Sequence, residues 1–180
     1  MWPIRRSIAI AGMWCILASG IVPALSAPPL AREYDVKAAF LLNFTKFTEW
    51  PASAFPDEKA PISLCVYGKD PFGPILDQIV RGEAVDQRKL MVRRIEAIPA
   101  AQTCSVIFFA AETKDTPETL PRVAPGVLTV GEGEPFLREG GMIALVIDNG
   151  RVRFSISQSA AERAGLKLSS RLLSLARAVE

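Results

Sequence analysis

Short apolar runs that end on glycine alternate with amphipathic stretches along this 180-residue chain. That pattern predicts an α/β fold: a single-domain layered sandwich with a mostly parallel sheet and helices on both faces. Two observations carry the parallel part. "PISLCVYG" (61–68) and "CSVIFFAA" (104–111) are uncharged and of strand length, as strands buried on both sides require. A third sets the C-terminal edge: "MIALVIDNGRVRFSIS" holds Asn149-Gly150 between two strand-like runs. That dipeptide tolerates positive φ at both turn positions and predicts an antiparallel hairpin.

The first residues, "MWPIRR", carry two arginines and no acid, and an apolar run follows from Ile8 to about Val22. It closes on "PALSA", where small residues permit cleavage after Ser26 or Ala27. We read residues 1–26 as a secretory signal peptide and residues 27–180 as the domain. The alternative is an uncleaved anchor helix. Removal of the leader leaves 19 basic against 19 acidic residues. A neutral chain argues against nucleic acid or an anionic membrane as the main partner.

Glu33 to Trp50 reads as the first helix, with Val36, Phe40, Phe44 and Phe47 at helical spacing and Pro51 ending it. On that reading Asn43 falls on the apolar stripe and is turned inward. After the strand at 61–68, Pro74 opens a helix in "DPFGPILDQIV". "QRKLMVRRIE" is a half-exposed strand, residues 117–123 a short helix, "GVLTVGEG" a strand and "EPFLREGG" one helical turn. The end of the chain, "QSAAERAGLKLSSRLLSLARAVE", reads as a helix stopped by Gly165 and a last helix capped by Ser169 or Ser170. Its stripe would be Leu172, Leu175, Ala176 and Val179.

Histidine is absent, which removes Ser-His-Asp and Cys-His nucleophile activation and the commonest zinc ligand. Neither a Gly-x-Ser-x-Gly elbow nor a phosphate-binding glycine loop occurs. "GEGEPF" lacks the third glycine and reads as a turn, and its Glu132 and Glu134, like Asp57 and Glu58, read as solvated loop carboxylates. We expect no enzyme, no catalytic residue, no metal and no cofactor. Cys65 and Cys104 remain beyond the leader, each beside a strand-like run. In an oxidising compartment they form a disulfide or, alternatively, stay as two buried thiols. Candidate binding residues are Asn43, Lys46 and Trp50 of the first helix, Arg151 and Arg153 on one face of the hairpin, and Ser157 after it.

With these segments laid out, the chain resembles the YfiR family of exported bacterial proteins. The matching stretches include "VKAAFLLNFTKFTEWP", "CVYGKDPFGPILD", "QRKLMVRRI", "CSVIFFAAET", "GVLTVGEGEPFLREGGMIALVIDNGRVRFSIS" and "AAERAGLKLSSRLLSLARAV", in family order. The resemblance implies a small periplasmic α/β protein, able to form a homodimer. It would repress a membrane diguanylate cyclase through that enzyme's periplasmic sensor region, with redox state and envelope stress relieving repression. A family disulfide maps onto Cys65 and Cys104. A second family disulfide has no counterpart here, and Ser157 stands where the family usually places asparagine. Two other readings compete: a small-ligand-binding module using Asn43, Lys46, Arg151 or Arg153, and an enzyme using carboxylates or serines.

Overall fold

The structure is a computed structural model that describes residues 29–98, 103–113 and 115–180. The expected leader, residues 1–26, lies outside them.

An 18-residue helix, α1 (Pro29–Lys46), opens the fold, followed by the two-residue strand β1 (Thr48–Glu49) and then β2 (Ile62–Tyr67). The chain continues through α2 (Pro74–Val80), β3 (Ala84–Val85), β4 (Arg88–Ile95) and β5 (Val106–Phe109). Next come α3 (Thr116–Thr119), β6 (Leu128–Glu132), α4 (Pro135–Arg138), and the hairpin of β7 (Ile143–Asp148) and β8 (Arg151–Ile156). Last are α5 (Gln158–Arg163), β9 (Lys167–Leu168), α6 (Ser170–Leu175) and β10 (Ala178–Val179).

Eight strands form the main sheet in the order β10-β8-β7-β6-β5-β2-β4-β3, and β1 pairs with β9 in a small antiparallel ribbon. β4, β2, β5, β6 and β7 run parallel to one another, β3 lies antiparallel to β4, and β8 returns antiparallel to β7. Taken in chain order, these five parallel strands lie second, first, third, fourth, fifth. Connections therefore diverge between β2 and β5, the place where doubly wound sheets open a crevice beyond their carboxyl ends.

Alternation along the strands divides the core in two. Ile62, Leu64 and Val66 of β2 join Val106, Phe108, Leu128, Val130, Ile143 and Leu145 on one face, under α1, α2 and α5. Cys65 and Tyr67 point the other way, with Cys104, Ile107, Phe109, Phe136 and Leu137, under α3 and α4. Helices thus cover both faces, as the sequence predicts. The hairpin turn is also as expected, with φ of 49° at Asn149 and 71° at Gly150.

Three boundaries differ. α1 stops at Lys46, four residues short of Trp50, because Thr48 and Glu49 pair with Leu168 and Lys167. The stripe of α1 is Ala38, Leu41 and Phe44 with the polar Lys37 and Thr45, whereas Val36 is 45% exposed. Counting the large aromatics rotated the expected stripe by about half a face, and Asn43 in fact faces solvent. Finally, α6 ends at Leu175, which is exposed, and the chain then extends as β10 parallel to β8. Val179 is therefore an edge-strand residue, and the hairpin is not the outermost strand pair. Ser169 caps α6 through its side chain, accepting from the Leu172 N–H at 3.2 Å.

Candidate functional site

Six residues singled out in the sequence do not come together. Lys46 pairs with Glu83 at 2.7 Å, tying the end of α1 to the segment before β3. Half-buried Trp50 donates to the Ser105 carbonyl oxygen at 3.4 Å and meets Phe55 edge-on. Asn43 is exposed on α1, opposite Leu41. Arg151 and Arg153 sit on β8, exposed, beside the opposite end of α1. Ten residues of helix, about 15 Å, separate Val36 near the hairpin from Lys46. Ser157 is buried after β8, where its N–H donates to the Met142 carbonyl oxygen at 2.8 Å and its hydroxyl lies 3.4 Å from that of Ser159.

What the fold does gather lies at the carboxyl end of β6. Lys37, only 4% exposed, extends from α1 to Glu132 Oε1 at 2.7 Å and to Glu33 Oε1 at 2.5 Å. Its ammonium also stands 4.4 Å from the centre of the Tyr34 ring. The Tyr34 hydroxyl donates to Glu132 Oε2 at 3.4 Å, and the ring packs edge-on against Phe72. Burial, and then the Glu132 carboxylate, push the Tyr34 phenol far above its ordinary value.

Two residues on, Glu134 accepts from the Ser155 hydroxyl at 3.2 Å and pairs with Arg177. The two glutamates of "GEGEP" thus hold different elements: Glu132 fastens α1, and Glu134 fastens β8 and the C-terminal segment. Glu132 is therefore a largely buried strand-end carboxylate, whereas Glu134 stays in the turn, partly exposed but paired. Sequence reasoning missed Lys37 because a lysine between apolar residues has no signature of its own. A signal was available in the i,i+4 spacing of Glu33 and Lys37.

The glycines of this segment serve packing. A methyl group on Gly131 would stand 2.3 Å from Phe136 Cδ2, and one on Gly141 would stand 2.2 Å from Phe136 Cε1. The buried Phe136 ring is therefore flanked by two backbones that approach too closely for any side chain.

Beside Glu132, a cavity of about 300 Å³ opens at the carboxyl ends of β5 and β6, lined by Phe109, Thr113, Thr116, Glu132, Phe136 and Glu139 among others. At its margin Tyr67 donates to Asp115 Oδ2 at 2.7 Å. That hydrogen bond, and then burial, raise the Tyr67 phenol, and the same bond lowers the Asp115 carboxyl. Among the described residues no group of three His, Cys, Asp or Glu side chains could hold a metal ion. None of their helices is long and apolar enough to cross a membrane.

Cys65 and Cys104 form a disulfide with a Cα–Cα distance of 5.8 Å, buried in the second core cluster. It joins β2 to the segment leading into β5, two positions before the strand begins.

Comparison with known proteins agrees with this architecture. Among solved structures, a conserved domain protein from Vibrio cholerae O1 biovar El Tor str. N16961 has the same fold, with a TM-score of 0.51 and 10% identity. The alignment covers 82% of this chain and 60% of that one. An ABC domain from Streptococcus pneumonia, solved in complex with L-Trp, aligns at a TM-score of 0.42 and 11% identity, over 84% of this chain and 60% of its own. The chain thus spans 60% of the length of either structure. A search of curated proteins finds no match. The family profile described as YfiR/HmsC-like matches residues 34–177, from the tyrosine above the Lys37 clasp to the arginine that pairs with Glu134, and the chain belongs to that family.

Proposed function

We propose that this protein is an exported regulator that represses a membrane-bound diguanylate cyclase by acting on its periplasmic sensor region. The observation that carries the reading is the match of residues 34–177 to the YfiR/HmsC-like family, whose membership fits a periplasmic regulator of cyclic-di-GMP signalling. The geometry supports it. The most buried charged groups, Lys37 and Glu132, are committed to each other and to elements of the fold rather than to a cleft. Such groups stabilise a scaffold that presents a surface. Cleavage of a leader at residue 26, and delivery to the periplasm, belong to the same proposal.

Deleting the gene should raise cellular cyclic-di-GMP and biofilm mass, and restoring it should return both to the starting level. A tagged copy should co-purify with a membrane protein carrying a cyclase domain. Unchanged cyclic-di-GMP after deletion, with no cyclase recovered, would refute the reading.

The cavity beside Glu132 favours a second role that could coexist with the first, as the sensing step. A thermal-shift screen of amino acids and nucleotides tests it; no stabilising compound in a broad panel would remove it.

A further inference from the structure

A separate cavity, of about 340 Å³, opens at the amino ends of β6 and β7, the opposite end of those strands from Glu132. Leu120, Met142 and Ala160, all buried, give it apolar walls between α5 and the segment 120–126. That segment is tied to the end of α5, where the Gly126 N–H donates to the Ala164 carbonyl oxygen at 2.7 Å. The walls are therefore held by the fold. A concave site of this size, apolar with a few polar groups, suits a small molecule.

Two polar side chains in the lining have hydrogen-bonding capacity to spare. Thr129, 2% exposed on β6, accepts from the Met142 N–H at 3.1 Å, yet its own O–H meets no acceptor among the described residues. A buried donor without a partner is costly, and a ligand oxygen would relieve it. Arg163, at the last position of α5, is exposed, and its guanidinium makes neither an ion pair nor a hydrogen bond among the described residues.

The lining holds no carboxylate. Of the acids adjacent to it in the chain, Glu162 accepts from the Gln158 amide at 2.7 Å, and Glu139 lines the cavity beside Glu132 instead. Apolar walls with a single guanidinium suit a monoanion with a hydrocarbon body. A phosphate would call for several donors.

We propose that this cavity binds a small aliphatic carboxylate. One carboxylate oxygen accepts the Thr129 O–H, and the Arg163 guanidinium, on a stem free to turn, closes over the other. The hydrocarbon chain lies against Leu120, Met142 and Ala160. This site is independent of the cyclase reading and of the cavity beside Glu132.

Isothermal titration calorimetry tests it on protein recovered from the bacterial periplasm, with octanoate, butanoate, octylamine and octanol. Octanoate should bind with a Kd on the order of 0.1 mM. Butanoate should bind at least about tenfold more weakly, because its short chain leaves the apolar walls uncovered. Octylamine and octanol should also be about tenfold weaker, since neither offers an anion to Arg163. Arg163→Glu should weaken octanoate about tenfold and Arg163→Lys about threefold. Arg81→Glu, just past α2 on the other side of the sheet, should leave it unchanged. Thr129→Ser keeps the hydroxyl and should bind as the parent does, whereas Thr129→Val should lose about fivefold. Far-ultraviolet circular dichroism on each variant, with Thr129→Ser and Arg163→Lys as conservative partners, separates lost binding from lost folding. Absence of octanoate binding overturns the proposal, as does affinity that Arg163→Glu leaves untouched. Octylamine or octanol binding as tightly as octanoate also overturns it, because the cavity would then be apolar without selecting an anion. Cyclic-di-GMP does not enter these measurements, so failure of the cyclase reading leaves their outcome intact.

Discussion

Replacing Lys37 with methionine removes one charge and little volume, and the structure specifies what that charge holds. The ammonium stands 2.7 Å from Glu132 and 2.5 Å from Glu33, with side-chain exposures of 5% for Lys37, 11% for Glu132 and 27% for Glu33. At an effective dielectric near 20, the contact with Glu132 has a gross Coulomb energy of about 6 kcal/mol, most of which desolvation offsets. Removing one partner of such a pair leaves the other buried and uncompensated, at a cost of about 3–5 kcal/mol. After Lys37→Met, Glu132 retains only the long hydrogen bond from Tyr34 and is repelled by Glu33. Glu132→Gln differs, because Lys37 keeps Glu33 and the Tyr34 ring, so the cost should be about 1–2 kcal/mol. The double variant Lys37→Met/Glu132→Gln leaves only the partly exposed Glu33 without its partner, and should lie within about 2 kcal/mol of the parent, well short of the sum of the two single costs. Urea unfolding at pH 7 of protein recovered from the bacterial periplasm, followed by far-ultraviolet circular dichroism and Trp50 emission, supplies the cycle. With a slope of about 2 kcal/mol per molar, Lys37→Met should lower the midpoint by about 2 M. Equal effects of the two single substitutions, summing in the double, would show that the pair is not coupled and refute the argument.

Gly131→Ala places a methyl group inside the Phe136 ring and should destabilise by about 2–3 kcal/mol, a penalty that shrinks when Phe136→Leu is introduced first. Cys65→Ala/Cys104→Ala opens a cross-link that spans 39 residues. The chain-entropy model puts its contribution at about 4 kcal/mol, or about 10 °C in Tm, and a reducing agent should reproduce that shift in the parent alone. Arg94 donates to Asp70 and Asp77 at 2.9 and 2.6 Å, and its hydrogen bond holds the Asp77 carboxyl below its ordinary value. A depressed carboxylate stabilises the fold above its unfolded pKa of about 4, and that stabilisation is lost as pH falls through the lowered value. Arg94→Gln should therefore cost about 1 kcal/mol at pH 7, the size of a good surface pair, and nearly nothing at pH 3. A stability difference that persists at pH 3 would count against this assignment.

Local rules were sufficient for much of the fold. Uncharged runs mark β2, which ends on Gly68, and β5, because a strand buried on both faces has no position for a charge. Asn149-Gly150 specifies the hairpin because its two residues adopt the left-handed conformation at little cost. By contrast, the turn between β3 and β4 uses Asp86 and Gln87, with φ of 49° and 67°. Nothing local announces a glutamine in that conformation, which pairing across the ladder imposes.

The candidate site was less legible. Spacing placed Asn43 inside, but the burial of α1 is decided by which face meets β8 and the other strands, and that face selects Ala38, Leu41 and Lys37. Likewise, Glu132 and Glu134 look like a polar turn until β6 brings one under α1 and the other beside Ser155 and Arg177. Periodicity, the buried uncharged runs and the Asn149-Gly150 turn thus determined the layers, the central strands β2 and β5 and the β7–β8 hairpin. Tertiary structure alone decided the Lys37 clasp and the glycine cradle of Phe136. The clasp joins residues 95 positions apart, and the cradle needs β6 and the start of β7 side by side, so only the packed sheet brings either within contact.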